Sequence, residues 1–218
     1  MSIHHSPLKI DTTILKQLQV HIERNSHRAF EDLYRLFFPR LFNFSMLYVY
    51  KKEAAEEIVN DVMVKIWEKR NSINVIENLE TYLFVAVRNH SLNYLQKYSH
   101  YHMTIAPETG LGELVNLNNP EKELEWKEMY FKLNMSIEQL PDQCRTVFRL
   151  IKEEGFKYKQ VAEILNISPR TVETQLFRAI KKLNAVVSVY IEKSAGKKNN
   201  NRPLISLLIA LCFWVSLS

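Results

Sequence analysis

The chain has 218 residues, 46% hydrophobic and 24% charged, which supplies enough apolar material for one or two folded domains and argues against intrinsic disorder. Its net charge of +5 is unevenly spread: residues 157–202 hold ten basic and three acidic residues, whereas 106–130 hold six acidic and two basic, which argues for distinct partners along the chain rather than a general affinity for anions. Cys144 and Cys212 are far apart and give no disulfide framework. His4, His5, His100 and His102 lack partner ligands at metal spacing, and no catalytic constellation or phosphate loop is present, so the sequence argues against an enzyme, a cofactor or a metal.

The four glycines all fall between segments with helical periodicity, and no run alternates as a strand would, so an all-α chain is expected. The start, MSIHHSPLKI, lacks the order of a secretory signal, which favours a cytoplasmic protein. Ile14, Leu15, Leu18 and Ile22 then predict a short amphipathic helix. Phe30, Leu33, Tyr34, Phe37, Phe38, Leu41, Leu47 and Tyr48 form the next apolar stripe, with Ser26 as its cap and Pro39 expected to kink or break it near Phe38.

A helix from Lys52 to about Arg70 turns Ala55, Ile58, Val59, Val62, Ile66 and Trp67 to one face and sets Glu56, Glu57, Asn60, Asp61 and Lys65 largely opposite. Those carboxylates suit a helix N-terminus or a protein-docking face. Residues 71–78 read as a polar connection. Leu79 to about Tyr98 mixes apolar Leu83, Ala86, Val87 and Leu95 with Arg88, Asn89, Asn93, Gln96 and Lys97. Tyr82, Tyr94, Tyr98 and Tyr101 lie among these groups, a mixture open to stacking on unpaired bases as well as to ordinary core packing. His100 to about Pro120 reads as a linker, and Glu121 to Ser136 as acidic helix. Leu140-Pro141-Asp142 opens a helix with Cys144, Val147, Phe148 and Ile151 on one face, closed by Gly155.

Tyr158 to Leu183 carries the densest set of local signals. Val161, Ala162, Ile164 and Leu165 line one short helix, Asn166 is placed to end it in the left-handed conformation, and Ser168-Pro169 caps and opens the next. The second helix sets Val172, Leu176, Ala179, Ile180 and Leu183 inward and leaves Arg170, Thr171, Glu173, Thr174, Gln175 and Arg178 outward. On a duplex, Lys181 and Lys182 would face the phosphate backbone. This is a helix-turn-helix pattern whose outer face suits duplex DNA.

Four blocks in order, FEDLYRLFFPRLFNFSMLYVY, AAEEIVNDVMVKIW, YLFVAVRNHSLNYLQK and LPDQCRTVFRLIKEEGFKYKQVAEILNISPRTVETQLFRAIKKL, resemble bacterial RNA polymerase sigma factors of the extracytoplasmic-function group over roughly residues 20–190. The resemblance implies two small helical domains: a region 2-like domain over 1–100, a linker over 101–130, a region 4-like domain over 131–192, and a basic linker with an apolar tail over 193–218. It implies docking on core RNA polymerase through Glu57, Asn60 and Asp61, and capture of bases from the melted minus-ten strand by Asn89 and Asn93 beside the 71–78 loop, with Arg88 on the same helix. It also implies minus-thirty-five duplex contact by Arg170, Glu173, Thr174, Phe177 and Arg178. Promoter DNA, core polymerase and an anti-sigma factor are the implied partners.

Glu173 stands where many members carry a basic residue, Lys157 replaces a small capping residue, and Asn166 replaces glycine. The other reading of SPRTVET is the output domain of a response regulator or a helix-turn-helix activator. Beyond the resemblance, LISLLIALCFWVSLS is apolar from Leu204 to Leu217 and falls slightly short of a spanning helix, which is compatible with packing on protein, contact with a membrane or disorder.

Overall fold

The structure, a computed structural model, describes residues 10–98 and 131–196, with side chains 186, 187 and 189–196 left out; among the described residues there is no strand. In chain order the elements are α1 (Thr12–Glu23), α2 (His27–Val49), α3 (Lys52–Glu68), a 3-10 turn (Arg70–Val75), α4 (Leu79–Tyr98), α5 (131–138), α6 (Asp142–Lys152), α7 (Tyr158–Leu165) and α8 (Pro169–Gly196). The expected linker, Tyr101 and the apolar tail lie outside the described residues. No helix among the described residues is long and apolar enough to cross a membrane.

Helix ends are set by local chemistry. Asp11 accepts a hydrogen bond from the Thr13 amide at 2.8 Å and caps α1. That helix stops at Asn25, whose φ of 63° is left-handed; the Asn25 amide donates to Ile22 O and the Ser26 amide to His21 O. Ser26 then caps α2 by accepting from the Ala29 amide at 3.3 Å. The same crossed pair closes α7, where Asn166 at φ 52° donates to Glu163 O and Ile167 to Ala162 O. Asparagine thus does at Asn166 what glycine would do, as expected. Lys157 has no acceptor to offer α7, and the Gln160 carboxamide compensates by accepting from the Lys157 amide at 3.0 Å.

Two compact units result. The first comprises α1 to α4 together with Leu150–Pro169. Leu33, Phe37, Leu41, Val59, Met63, Leu83, Phe84 and Val87 are buried at its centre. Phe156, from the later segment, packs edge-on against Phe84 with ring centroids 4.8 Å apart. The second unit comprises, among the described residues, 131–149 and 170–196. Its described core joins Ile137, Leu140, Cys144, Ala179 and Leu183, with Leu133 and Phe148 against them.

Three local expectations are corrected. Of the kink or break expected near Phe38, the break does not occur: α2 runs continuously through Pro39. The proline lies on the exposed side, and the buried Phe37, Arg40 and Leu41 that flank it hold the turn together against the roughly 3 kcal/mol an interior proline costs. Ile14 is 51% exposed, so the buried face of α1 is Leu15, Gln19 and Ile22.

The 71–78 connection, lastly, is not simply polar: it contains the 3-10 turn and a buried Ile73. Gln19 holds it in place. Its fully buried amide donates to Ile73 O at 2.7 Å and Ile76 O at 2.9 Å, and Lys16 reaches Ile76 O at 3.2 Å. Gln19→Ala is therefore expected to lower unfolding stability by about 1 to 3 kcal/mol, because the buried Ile73 carbonyl loses its side-chain donor while Ile76 O keeps only Lys16. Gln17→Ala, exposed on the same helix, is expected to stay within about 0.5 kcal/mol in the same denaturant titration.

Candidate nucleic-acid and protein-docking surfaces

The α3 surface is sharply divided. Ala54, Ala55, Ile58, Val59, Val62, Met63 and Ile66 are buried, and that inward anchoring leaves Glu56, Glu57, Asn60 and Asp61 exposed. Beside Asn60 lies an apolar groove of about 250 Å³ bounded by Phe30, Tyr34, Met63, Val64 and Trp67. The Tyr34 hydroxyl donates to Asn60 Oδ1 at 2.9 Å and fixes the amide at the groove's edge. Desolvation and the Glu56 carboxylate hold the Tyr34 phenol above its ordinary range. Trp67 was expected on the inward stripe but is half-buried, packed on His27 and Phe30, with the Arg70 guanidinium 4.8 Å from its ring centre. A carboxylate-rimmed surface with an aromatic floor can take a partner that offers cations around an apolar side chain.

A second surface joins the end of α3, the 3-10 turn and α4. A cleft of about 240 Å³ has Ile66, Ile73 and Ile76 among its walls and Lys65, Lys69 and Tyr82 around it. Sequence periodicity placed Lys65 opposite the apolar face but gave no sign that it shares a cleft with Tyr82. Asn89 and Asn93 are exposed on α4, and the Tyr94 and Tyr98 rings meet in a tilted arrangement with centroids 4.5 Å apart farther along it. Arg88 is half-buried: it lies beside Tyr48, whose phenol is pushed up to about 12 by burial, and its guanidinium donates to Asn89 Oδ1 at 3.2 Å. Flat apolar walls, a tyrosine and two lysines can hold a ring between them while pairing with phosphate.

Lys65 Nζ is 2.9 Å from His90 Nε2. An ammonium can only donate, so that ring nitrogen accepts and the imidazole is neutral. Desolvation first, and the Lys65 charge second, hold the His90 pKa below the usual 6.5. A histidine lowered on folding contributes stability that is present above 6.5 and declines as pH falls through the folded value.

The third surface belongs to α8. Val172, Leu176, Ala179 and Leu183 are buried, Ile180 is half-buried, and Arg170, Glu173, Thr174, Phe177, Arg178, Lys181 and Lys182 are exposed, with Thr171 half-exposed. Phe177 shows 68% of its surface, an apolar side chain amid charged and polar ones. Gln175 departs from the outward set. It is half-buried, accepting from Cys144 Sγ at 2.9 Å and donating to Gln143 at 2.9 Å. A guanidinium pair, hydroxyls and one exposed ring can address phosphates, base edges and a thymine methyl. Among the described residues no group of three histidine, cysteine or carboxylate side chains could hold a metal.

Residues 33–101 match the family model for sigma-70 region 2, and residues 130–183 that for sigma-70 region 4. The chain is 27% identical over 155 residues to the RNA polymerase sigma factor YlaC of Bacillus subtilis, covering 70% of this chain and 89% of that protein. It is 24% identical over 158 residues to the ECF RNA polymerase sigma factor SigM of the same organism, covering 72% and 93%. In fold it resembles the sigma factor RpoE of Bartonella quintana, solved with the anti-sigma factor NepR, with a TM-score of 0.53 at 23% identity over 73% of this chain and 97% of that one.

Replacing Lys65 with Met is expected to move the His90 imidazole resonance, followed by NMR against pH, upward toward 6.5. An unmoved titration would mean that burial alone sets it.

Proposed function

The chain belongs to the sigma-70 family, in its extracytoplasmic-function group, and from that premise we propose how this alternative RNA polymerase sigma factor divides promoter recognition among its three surfaces. Glu57, Asn60 and Asp61 dock on the core enzyme, with the groove between Phe30 and Trp67 receiving an apolar side chain from it. Asn89 and Asn93 read unpaired bases of the minus-ten strand, with the Lys65, Lys69 and Tyr82 cleft as the slot for a base turned out of the stack. On α8, Arg170, Thr171, Glu173, Thr174, Phe177 and Arg178 read the minus-thirty-five duplex, and Lys181 and Lys182 pair with phosphate. Residues 1–100 form the polymerase and minus-ten part, 131–192 the duplex-reading part, with 101–130 linking them and 193–218 beyond.

One observation carries this division: each surface is the exposed face of a helix whose opposite face is buried, and each exposes a different chemistry. Carboxylates and an amide suit a basic protein partner; amides, tyrosines and lysines suit single strands; arginines, hydroxyls and an exposed ring suit the major groove. The protein brings no active site of its own and acts in the cytoplasm, where the polymerase supplies the chemistry. An anti-sigma factor is its inhibitory partner, in keeping with the complex of the RpoE relative.

Purified protein with core polymerase is expected to initiate at a cognate promoter without another factor. Promoter binding that yields transcripts only when a housekeeping sigma factor is added would instead establish an activator. Within that assay Arg178→Ala is expected to weaken duplex binding by about 1 to 3 kcal/mol. Asn89→Ala is expected to leave duplex binding intact and impair promoter opening, read by permanganate reactivity of unpaired thymines. Equal loss of both activities from each variant would mark a folding defect.

A further inference from the structure

Helix α1 carries none of the residues assigned to polymerase or DNA, yet its polar side chains converge on one short segment, the 3-10 turn Arg70–Val75 and its cap Ile76. Asn25, just past α1, accepts from Arg70 Nε at 2.5 Å, Glu23 accepts from the Asn74 amide, and Lys16 donates to Ile76 O at 3.2 Å. Among them Gln19, 1% exposed, donates from one amide nitrogen to two carbonyls three residues apart, Ile73 O at 2.7 Å and Ile76 O at 2.9 Å. The turn needs such help. Six residues is long for a 3-10 run, whose hydrogen bonds are poorly aligned, and Val75 within it stands 81% exposed. Ser72, Ile73, Val75 and Ile76 of this segment are the walls that face Lys65, Lys69 and Tyr82 across the cleft.

We propose that Gln19 is a positioning residue for minus-ten reading: it sets the turn in place before DNA arrives, so that the cleft stands ready for a base turned out of the stack. This rests on the functional reading above, in which that cleft is the base slot. A base that leaves the duplex gives up its pairing and stacking partners, and the slot must offset that loss. Walls that had to be ordered on binding would draw their ordering cost from the same contacts, whereas walls held beforehand leave those contacts whole.

The geometry suits this role in two ways. Ile73 O and Ile76 O bracket Val75, so one nitrogen bonded to both fixes the backbone on either side of the exposed side chain. Gln19 is also shut off from water and from any ligand of the cleft, so its bonds meet no competition from solvent and its effect on DNA passes through the turn alone. Without the Gln19 amide the turn loosens rather than collapses, since Ile73 O still accepts from the Ile76 amide at 3.2 Å and Ile76 O from Lys16.

Full-length protein with core polymerase is tested on minus-ten strands in which each base in turn is replaced by an abasic site. The unmodified protein is expected to lose most affinity at one position. Gln19→Met, which keeps a buried chain and removes the donor, is expected to shrink that intact-to-abasic affinity ratio at least about fivefold. A merely structural role would lower the active fraction and scale both probes alike, so an unmoved ratio overturns the proposal. Lys16→Met touches only the Ile76 O bond from an exposed position and is expected to shrink the ratio about twofold; should Gln19→Met not fold, an unmoved ratio in Lys16→Met overturns the proposal instead. In the free protein, amide hydrogen exchange across residues 70–76 is expected to be about tenfold faster in Gln19→Met, with α4 unchanged, and exchange at the parental rate would also overturn it. An unmodified protein indifferent to every abasic site would overturn the reading of the cleft and the proposal with it, whereas an unmoved ratio in a base-sensitive protein overturns the proposal alone.

Discussion

A guanidinium taken out of water organises the first unit. Helix α2 runs unbroken past Pro39, which delivers Arg40 beside the Phe37 and Phe84 rings, where it is buried. A buried cation is tolerated only when paired, and removing one partner of such a pair typically costs about 3 to 5 kcal/mol. Glu80 at the start of α4 and Glu154 ahead of α7 meet that demand, each at 2.6 Å. The positions of α4 and of Leu150–Pro169 on α2 therefore follow from one charge, and the apolar contacts of Phe84 and Phe156 close around it.

With that interior fixed, the helices have their outward faces left for partners. The α3 face is acidic and borders an aromatic groove; the α4 face carries amides and tyrosines next to a lysine-rimmed cleft; the α8 face carries arginines, hydroxyls and Phe177. Local charge, rather than the modest net value, separates these chemistries. A sigma factor must bind a protein, an unpaired strand and a duplex in one complex, and the proposed division assigns one of three unlike surfaces to each, with side chains held from behind by buried neighbours.

Features governed by near neighbours in sequence were legible. Ser26 as a cap, Asn166 as a left-handed stop and the buried stripe of Val172, Leu176, Ala179 and Leu183 all depend on residues within a turn or two. Those governed by distant partners were not. Gln19 meets carbonyls 54 and 57 positions away, Arg40 meets Glu154 across 114, and Gln175 turns inward because Gln143 and Cys144 receive it. The break expected at Pro39 fails for the same reason: the proline's penalty is local, whereas the packing of Phe37, Arg40 and Leu41 that outweighs it involves other helices. In the candidate surfaces the exposed residues were readable from periodicity, while both grooves, which need two elements to meet, were invisible to it.

The central claim is that one chain reads an unpaired strand with α4 and a duplex with α8. Site-specific photocross-linking measures this directly, with a photoreactive residue at position 89 or position 178 in a complex of core polymerase and promoter. The account predicts that position 89 labels the non-template strand near minus ten, and only when core polymerase is present, while position 178 labels duplex near minus thirty-five. Labelling of the same DNA segment from both positions, or of closed duplex from position 89 without polymerase, would contradict it.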